Sequence, residues 1–193
     1  MYKRFIFAIG LFLISSSAQA TTVKPVNLEQ LVGRAETIFR GTLAESVAEY
    51  DTEESHSMVR YYTFTIEECI KGDCGESFTF KQLADGTFVN EDGIAIRQRM
   101  FFPTYEVGKT YVLFLPMAHP KTGLMAPIAL FQGVFPIKVV NGQETVPDLK
   151  ARSHFLKTGL STSNAKFLQK SLGAVNEDHS YNTFKGLIKK TME

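Results

Sequence analysis

The side chains with the greatest chemical potential in this sequence are its two cysteines, in the stretch Glu67-Glu-Cys-Ile-Lys-Gly-Asp-Cys-Gly-Glu76. A pair as close as Cys69 and Cys74 could be a redox centre, half of a metal site, or a disulfide on a turn. Thioredoxin-type centres use Cys-x-x-Cys at a helix N-terminus; here the spacing is longer and lies between two strand-like runs. A metal site would need two more soft ligands, which the sequence lacks. A Cys69–Cys74 disulfide is the preferred reading. In the chain-entropy model so short a loop gains about 2 kcal/mol.

The other candidates for chemistry are dispersed. His56, His119, His154 and His179 have no partner at helical spacing, and no phosphate loop, nucleophile elbow or zinc-protease helix motif is present. Asp85, Glu91 and Asp92 suggest calcium by type, but they do not follow the alternating spacing of a calcium loop. They suit hairpin turns. No catalytic residue, cofactor or metal is expected, and the chain reads as a non-enzyme.

The elements that must position the cysteines are the clearest in the chain. Tyr62, Phe64 and Ile66 alternate with Thr63, Thr65 and Glu67, the period of a half-buried strand. Phe78 and Phe80 alternate with Ser77, Thr79 and Lys81, which places Lys81 on the polar side. Pairing Phe64 with Phe80 and Ile66 with Phe78 keeps both apolar faces inward. That register points the two thiols to opposite faces. Closing a disulfide then calls for one extra residue, and Gly75 is the natural site for a bulge.

Around this hairpin lie further strand signals. Asn27 can cap a helix to Ala35, with Gln30 three residues on and Leu28, Leu31 and Val32 on one face. A strand follows from Thr37, with Gly41 as a bend or bulge, and the acidic run Asp51 to Glu54 reads as a solvated loop. Thr110 to Leu115 is apolar on both faces and is predicted to be the most buried strand. Asn141-Gly142 marks a hairpin. After Pro147, Ser163 can cap a helix carrying Phe167, Leu168 and Leu172. Ser180 can cap another that presents Tyr181, Phe184, Leu187 and Ile188. The expected architecture is mainly β with flanking helices: five or six strands in a small barrel or sandwich, one N-terminal helix and two short C-terminal ones.

The first twenty residues set the compartment. Lys3 and Arg4 precede the apolar run Phe5 to Ile14, and Ala18-Gln19-Ala20 offers a cleavage site, so residues 1–20 read as a cleaved secretory signal peptide. The mature chain would begin at Thr21, in a periplasmic or extracellular space where disulfides persist. It would contain no transmembrane segment. The full chain has 21 Lys and Arg against 20 Asp and Glu, and the basic count falls to 19 once Lys3 and Arg4 leave. That balance argues against nucleic acid as a partner. Residues 21–147 form the expected barrel domain and 148–193 a helical extension packed on it.

Three stretches carry a resemblance: Arg34-Ala-Glu-Thr-Ile-Phe-Arg-Gly41, Val59 through Gly72, and Glu106-Val-Gly-Lys-Thr-Tyr-Val-Leu-Phe-Leu115. In order and spacing this resembles the netrin-like module, particularly the inhibitory domain of the tissue inhibitors of metalloproteinases (TIMP), together with bacterial exported proteins of that shape. The likeness spans Asn27 to Val146 and implies a five-stranded barrel of the oligonucleotide/oligosaccharide-binding (OB) type. It implies a binding module whose partner is a protein or cell-surface polymer, with an extracellular zinc protease as one option. Those inhibitors chelate zinc through an N-terminal cysteine clamped by disulfides. Here that terminus is Thr21-Thr22-Val23-Lys24-Pro25, with no cysteine to tie it down. Thr21 and Thr22 are accordingly the candidate partner-binding residues, alongside the loops Ser46 to Ser57 and Leu83 to Arg97.

Overall fold

The structure, a computed structural model, describes residues 24–90, 92–147, 149–161, 166–167 and 180–193. Helix α1, Leu28–Arg34, starts at the expected capping box: Asn27 Oδ1 accepts from Gln30 N at 2.9 Å, and Gln30 Oε1 accepts from Asn27 N at 3.2 Å. Its Leu28, Leu31 and Val32 are buried.

Five strands make the main sheet: β1 (Thr37–Asp51), β2 (Ser57–Lys71), β3 (Ser77–Leu83), β6 (Thr110–Leu115) and β7 (Val134–Pro136), in the order β3-β2-β1-β6-β7. Two small hairpins flank it: β4 (Gly86–Val89) with β5 (Ala95–Gln98), and β8 (Lys138–Val140) with β9 (Gln143–Thr145). The second hairpin turns at Asn141-Gly142, with φ of 51° and 79°, as the dipeptide predicts. Gly41 sits at a register shift between β1 and β2, and a Cβ there would lie 2.8 Å from the Thr65 carbonyl oxygen.

The mainly-β architecture with flanking helices is therefore as expected, but the sheet is not closed into a barrel. β3 and β7 are its two edges. β7 is three residues long and ends in Pro136, whose missing N–H stops a ladder from continuing. Across the gap, the loop after β6 makes one parallel bridge to β3, Lys81 with Leu124, and Met125 N donates to Lys81 O at 2.7 Å.

The β2–β3 register also differs from expectation. Phe64 faces Phe78 and Tyr62 faces Phe80, a shift of two residues. An even shift leaves every side chain on its own face, so the hydrophobic pattern could not distinguish the two registers.

Around β6 and the start of β1 both faces of the sheet are buried. On one, Ile38, Val112 and Phe114 pack with α1, with α2 (Leu149–Lys157) and with α3 (Tyr181–Met192). On the other, Phe39, Tyr62, Phe64, Phe80, Tyr105 and Tyr111 form an aromatic cluster with Leu113 and Leu115. The strict alternation of β6 between these cores explains why Thr110 to Leu115 reads as apolar throughout.

Helix α3 follows the sequence reading. Ser180 Oγ accepts from Thr183 N at 3.2 Å, and Tyr181, Phe184, Leu187 and Ile188 are buried. Helix α2 was not expected from the sequence. The helix expected after Ser163 lies mostly outside the described residues. Among the described residues no helix is long and apolar enough to cross a membrane.

Candidate interaction surface

Cys69 and Cys74 form a disulfide, with Cα atoms 5.7 Å apart. The bulge expected at Gly75 is not how the sulfurs meet. The β2–β3 ladder ends at Thr65–Ser77, with a last bond from Ile66 N to Glu76 O at 2.9 Å. Beyond it β2 continues against β1 alone, Cys69 opposite Phe39, while the chain folds back through a loop. Gly72 and Gly75 both take left-handed backbone there, with φ of 84° and 61°. A Cβ on Gly72 would stand 2.6 Å from Glu36 O, so only glycine fits. Cys74 is buried in the aromatic cluster. The bridge is a structural staple.

The dispersed candidates stay dispersed. His56 occupies the β1–β2 turn in left-handed backbone, His119 Nδ1 meets Thr122 Oγ1 at 3.0 Å, and His154 lies against the Phe155 ring. His179 lies outside the described residues, as does Glu91. Asp85 Oδ1 accepts from Met100 N at 2.5 Å, fixing a loop. Among the described residues no group of three His, Cys, Asp or Glu side chains could hold a metal ion.

Asp51, read as part of a solvated loop, and Lys81, read as on the polar side of its strand, are buried together. Asp51 and Lys81 pair at 3.0 Å, and Glu54 reaches Lys81 Nζ as well. Asp51 also accepts from Ser55 N and Oγ, at 3.0 and 2.7 Å, closing the β1–β2 turn. Burial pushes the Asp51 carboxyl up, but the bonds from Ser55, Lys81 and the Glu54 and Ser55 amides outweigh it and hold the group well below its ordinary range. Burial lowers the Lys81 ammonium, and its bonds to Glu54 and Asp51 more than reverse that, so it is raised. Sequence alternation assigned Lys81 correctly to the face opposite Phe80; nothing local signalled that the turn and the Leu124 loop cover that position. The expected contact loop at 46–57 is mostly strand, because β1 runs to Asp51 and β2 begins at Ser57.

Thr21 and Thr22 lie outside the described residues, but the point where their segment joins the fold is well defined. Gln132 Nε2 donates to Lys24 O at 3.1 Å, and Gln132 Oε1 accepts from Val26 N at 2.8 Å. One carboxamide thus holds two backbone groups as a neighbouring strand would. The leader expected to have no tie has one at Lys24–Val26.

Gln132 belongs to a short 3-10 turn, Leu130–Gly133, entered through Ala129 and Leu130, which both have left-handed backbone with φ of 50° and 57°. Such conformations are costly for residues with a Cβ and persist only when the surroundings enforce them. Arg152 of α2 does so by donating from Nη1 to Phe131 O at 3.0 Å and Val134 O at 2.8 Å, with its guanidinium over the Phe135 ring. Between these parts runs a groove of about 320 Å³ whose walls include Pro25, Val26, Phe131 and Phe155. Three phenylalanines stand out around it: Phe101 is 82% exposed, Phe131 42% and Phe155 45%, with Phe101 and Phe131 edge to face at 5.4 Å. No signal in the sequence distinguished these from core aromatics. Comparison with protein-family models and with curated proteins finds no match for this chain.

Proposed function

We propose that this chain is an exported, non-enzymatic binding module that grips a protein partner at the groove beside Lys24–Val26. The observation that carries the reading is the set of exposed phenylalanines: Phe131 on a turn fastened by Arg152, Phe155 on helix α2, and Phe101 edge to face with Phe131. Exposed aromatic surface on a fixed frame is costly in water, at roughly 25 cal/mol per Å², and is the usual anchor of protein interfaces. A rigid frame also limits the ordering cost of association. The resemblance to the netrin-like module supports a binding role, and the leader sequence and disulfide support export.

The test is capture from the native envelope fraction with mature protein, in parallel with a Phe131→Ser/Phe155→Ser double variant. A partner retained by the first and lost by the second is expected. Equal capture by both would remove the groove from the proposal.

The brace at Gln132 favours one narrower reading, inhibition of a zinc protease by the Thr21 terminus. With Lys24 and Val26 already held, fewer residues need ordering on docking. Mature protein starting at Thr21 is expected to inhibit some member of a zinc-protease panel and to lose that inhibition with one extra N-terminal residue. Inhibition indifferent to the extension excludes chelation by the terminus.

A further inference from the structure

The inward face of the β2–β3 pair is aromatic along most of its length, with Phe64 opposite Phe78 and Tyr62 opposite Phe80. Its next rung is different: Arg60 stands opposite Gln82. Both side chains line a cavity of about 200 Å³, together with Tyr62, Met100, Phe102 and the exposed Asp85. This cavity shares no residue with the groove at Lys24–Val26.

Two groups in this rung have unused bonding capacity. Gln82 is 2% exposed; its Nε2 donates to Pro103 O at 2.8 Å, and its Oε1 has no partner. The amide cannot be turned to relieve this, since that would set oxygen against oxygen. Arg60 makes one bond, from Nη1 to Ser46 Oγ at 3.1 Å, and no carboxylate pairs with it among the described residues. A guanidinium carries five N–H donors in a fork matched to a carboxylate. Across one rung the wall therefore offers an unspent carboxylate receptor and an unspent acceptor. The enclosed volume is below that of usual drug-sized sites, so it admits only a small molecule.

We infer that this cavity binds a small carboxylic acid bearing an amino or hydroxyl group on the adjacent carbon. The carboxylate pairs with Arg60, and the neighbouring N–H or O–H donates to Gln82 Oε1. The exposed Asp85 suits an ammonium.

The experiment is a side-chain ¹H–¹⁵N NMR titration of the mature protein with L-alanine, L-lactate, propionate and ethylamine. Alanine or lactate is expected to move the Arg60 Nε–H and Gln82 amide signals, and whichever binds tighter identifies the donor. Propionate is expected to bind about fivefold more weakly and ethylamine not at all. Arg60→Met should weaken binding at least about tenfold. Gln82→Leu should bring alanine and lactate down to propionate's affinity and leave propionate unchanged. If Arg60→Met fails to fold, Arg60→Lys decides, with a loss of about threefold or more expected because the charge stays and the fork goes. No movement of these signals with any acid, or undiminished binding to folded Arg60 variants, means the cavity holds water alone and overturns the inference.

Discussion

The two faces of the sheet are buried by different means. Against Ile38, Val112 and Phe114 the chain lays apolar residues of α1, α2 and α3, helices whose backbone bonds are largely internal. Against Tyr62, Phe64 and Phe80 it lays irregular segments around Tyr105 and Met125. Irregular backbone brings polar groups that need partners, and they are present: Gln82 holds Pro103 O, Tyr111 Oη holds Glu106 N, and Lys81 O holds Met125 N. The helical face is secured by shape and the aromatic face by polar fastenings. The first should fail when volume is removed, the second when a bond is removed.

The largest expected effect breaks the helical face. Phe184 is fully buried, with its ring 4.6 Å from Phe135 and 6.4 Å from Phe114. Phe184→Ala should destabilise by about 3–5 kcal/mol, read as a lowered urea midpoint. A loss under about 1 kcal/mol would show that α3 is an appendage on a self-sufficient sheet.

On the aromatic side, Lys81→Met should cost about 3 kcal/mol, because Asp51 keeps its burial and loses its cation. The pH dependence has a definite sign. Asp51 is lowered from its ordinary 3.8, so its contribution is present above that value and fades as pH falls through the folded-state range. Lys81 is raised from 10.5, so its contribution is present below that value and fades at higher pH. The difference between wild type and Lys81→Met, measured by urea melts, should therefore be large at about pH 7 and shrink towards about pH 2. An unchanged difference would assign the loss to packing.

The smallest effect sharpens the contrast. Tyr105 Oη is buried without a partner, and burial together with the nearby Tyr62 and Tyr111 pushes its ionisation far up. Tyr105→Phe should be neutral or stabilising by up to about 1 kcal/mol in the same melts. A clear loss would reveal a hydroxyl bond through solvent.

Legibility in the sequence divided along the same line. Features that depend on local periodicity or capping were readable: the capping box at Asn27, the alternation through Phe64, the turn at Asn141-Gly142, and the buried stripe of α3. Features that depend on what lies across space were not. The β2–β3 register slipped by two because period-two patterns repeat at every even shift. The burial of Lys81 on its polar side was not readable because its cover comes from the β1–β2 turn and the loop after β6. Helix α2 was missed although Asp148 precedes it, because its low apolar content leaves it without a clear stripe until Leu149 and Leu156 meet the core. The brace at Gln132 joins residues more than a hundred positions apart, beyond any local pattern.

Helix α1 packs on α3, so residues 28–34 are buried by residues 181–192. That contact fixes the order of events during synthesis. The β1–β2 hairpin can pair early, because its partners are neighbours in sequence, whereas the helical face remains open until residues 181–192 have been made. A growing chain that has not yet reached those residues would stay unfinished on that face, and threadable.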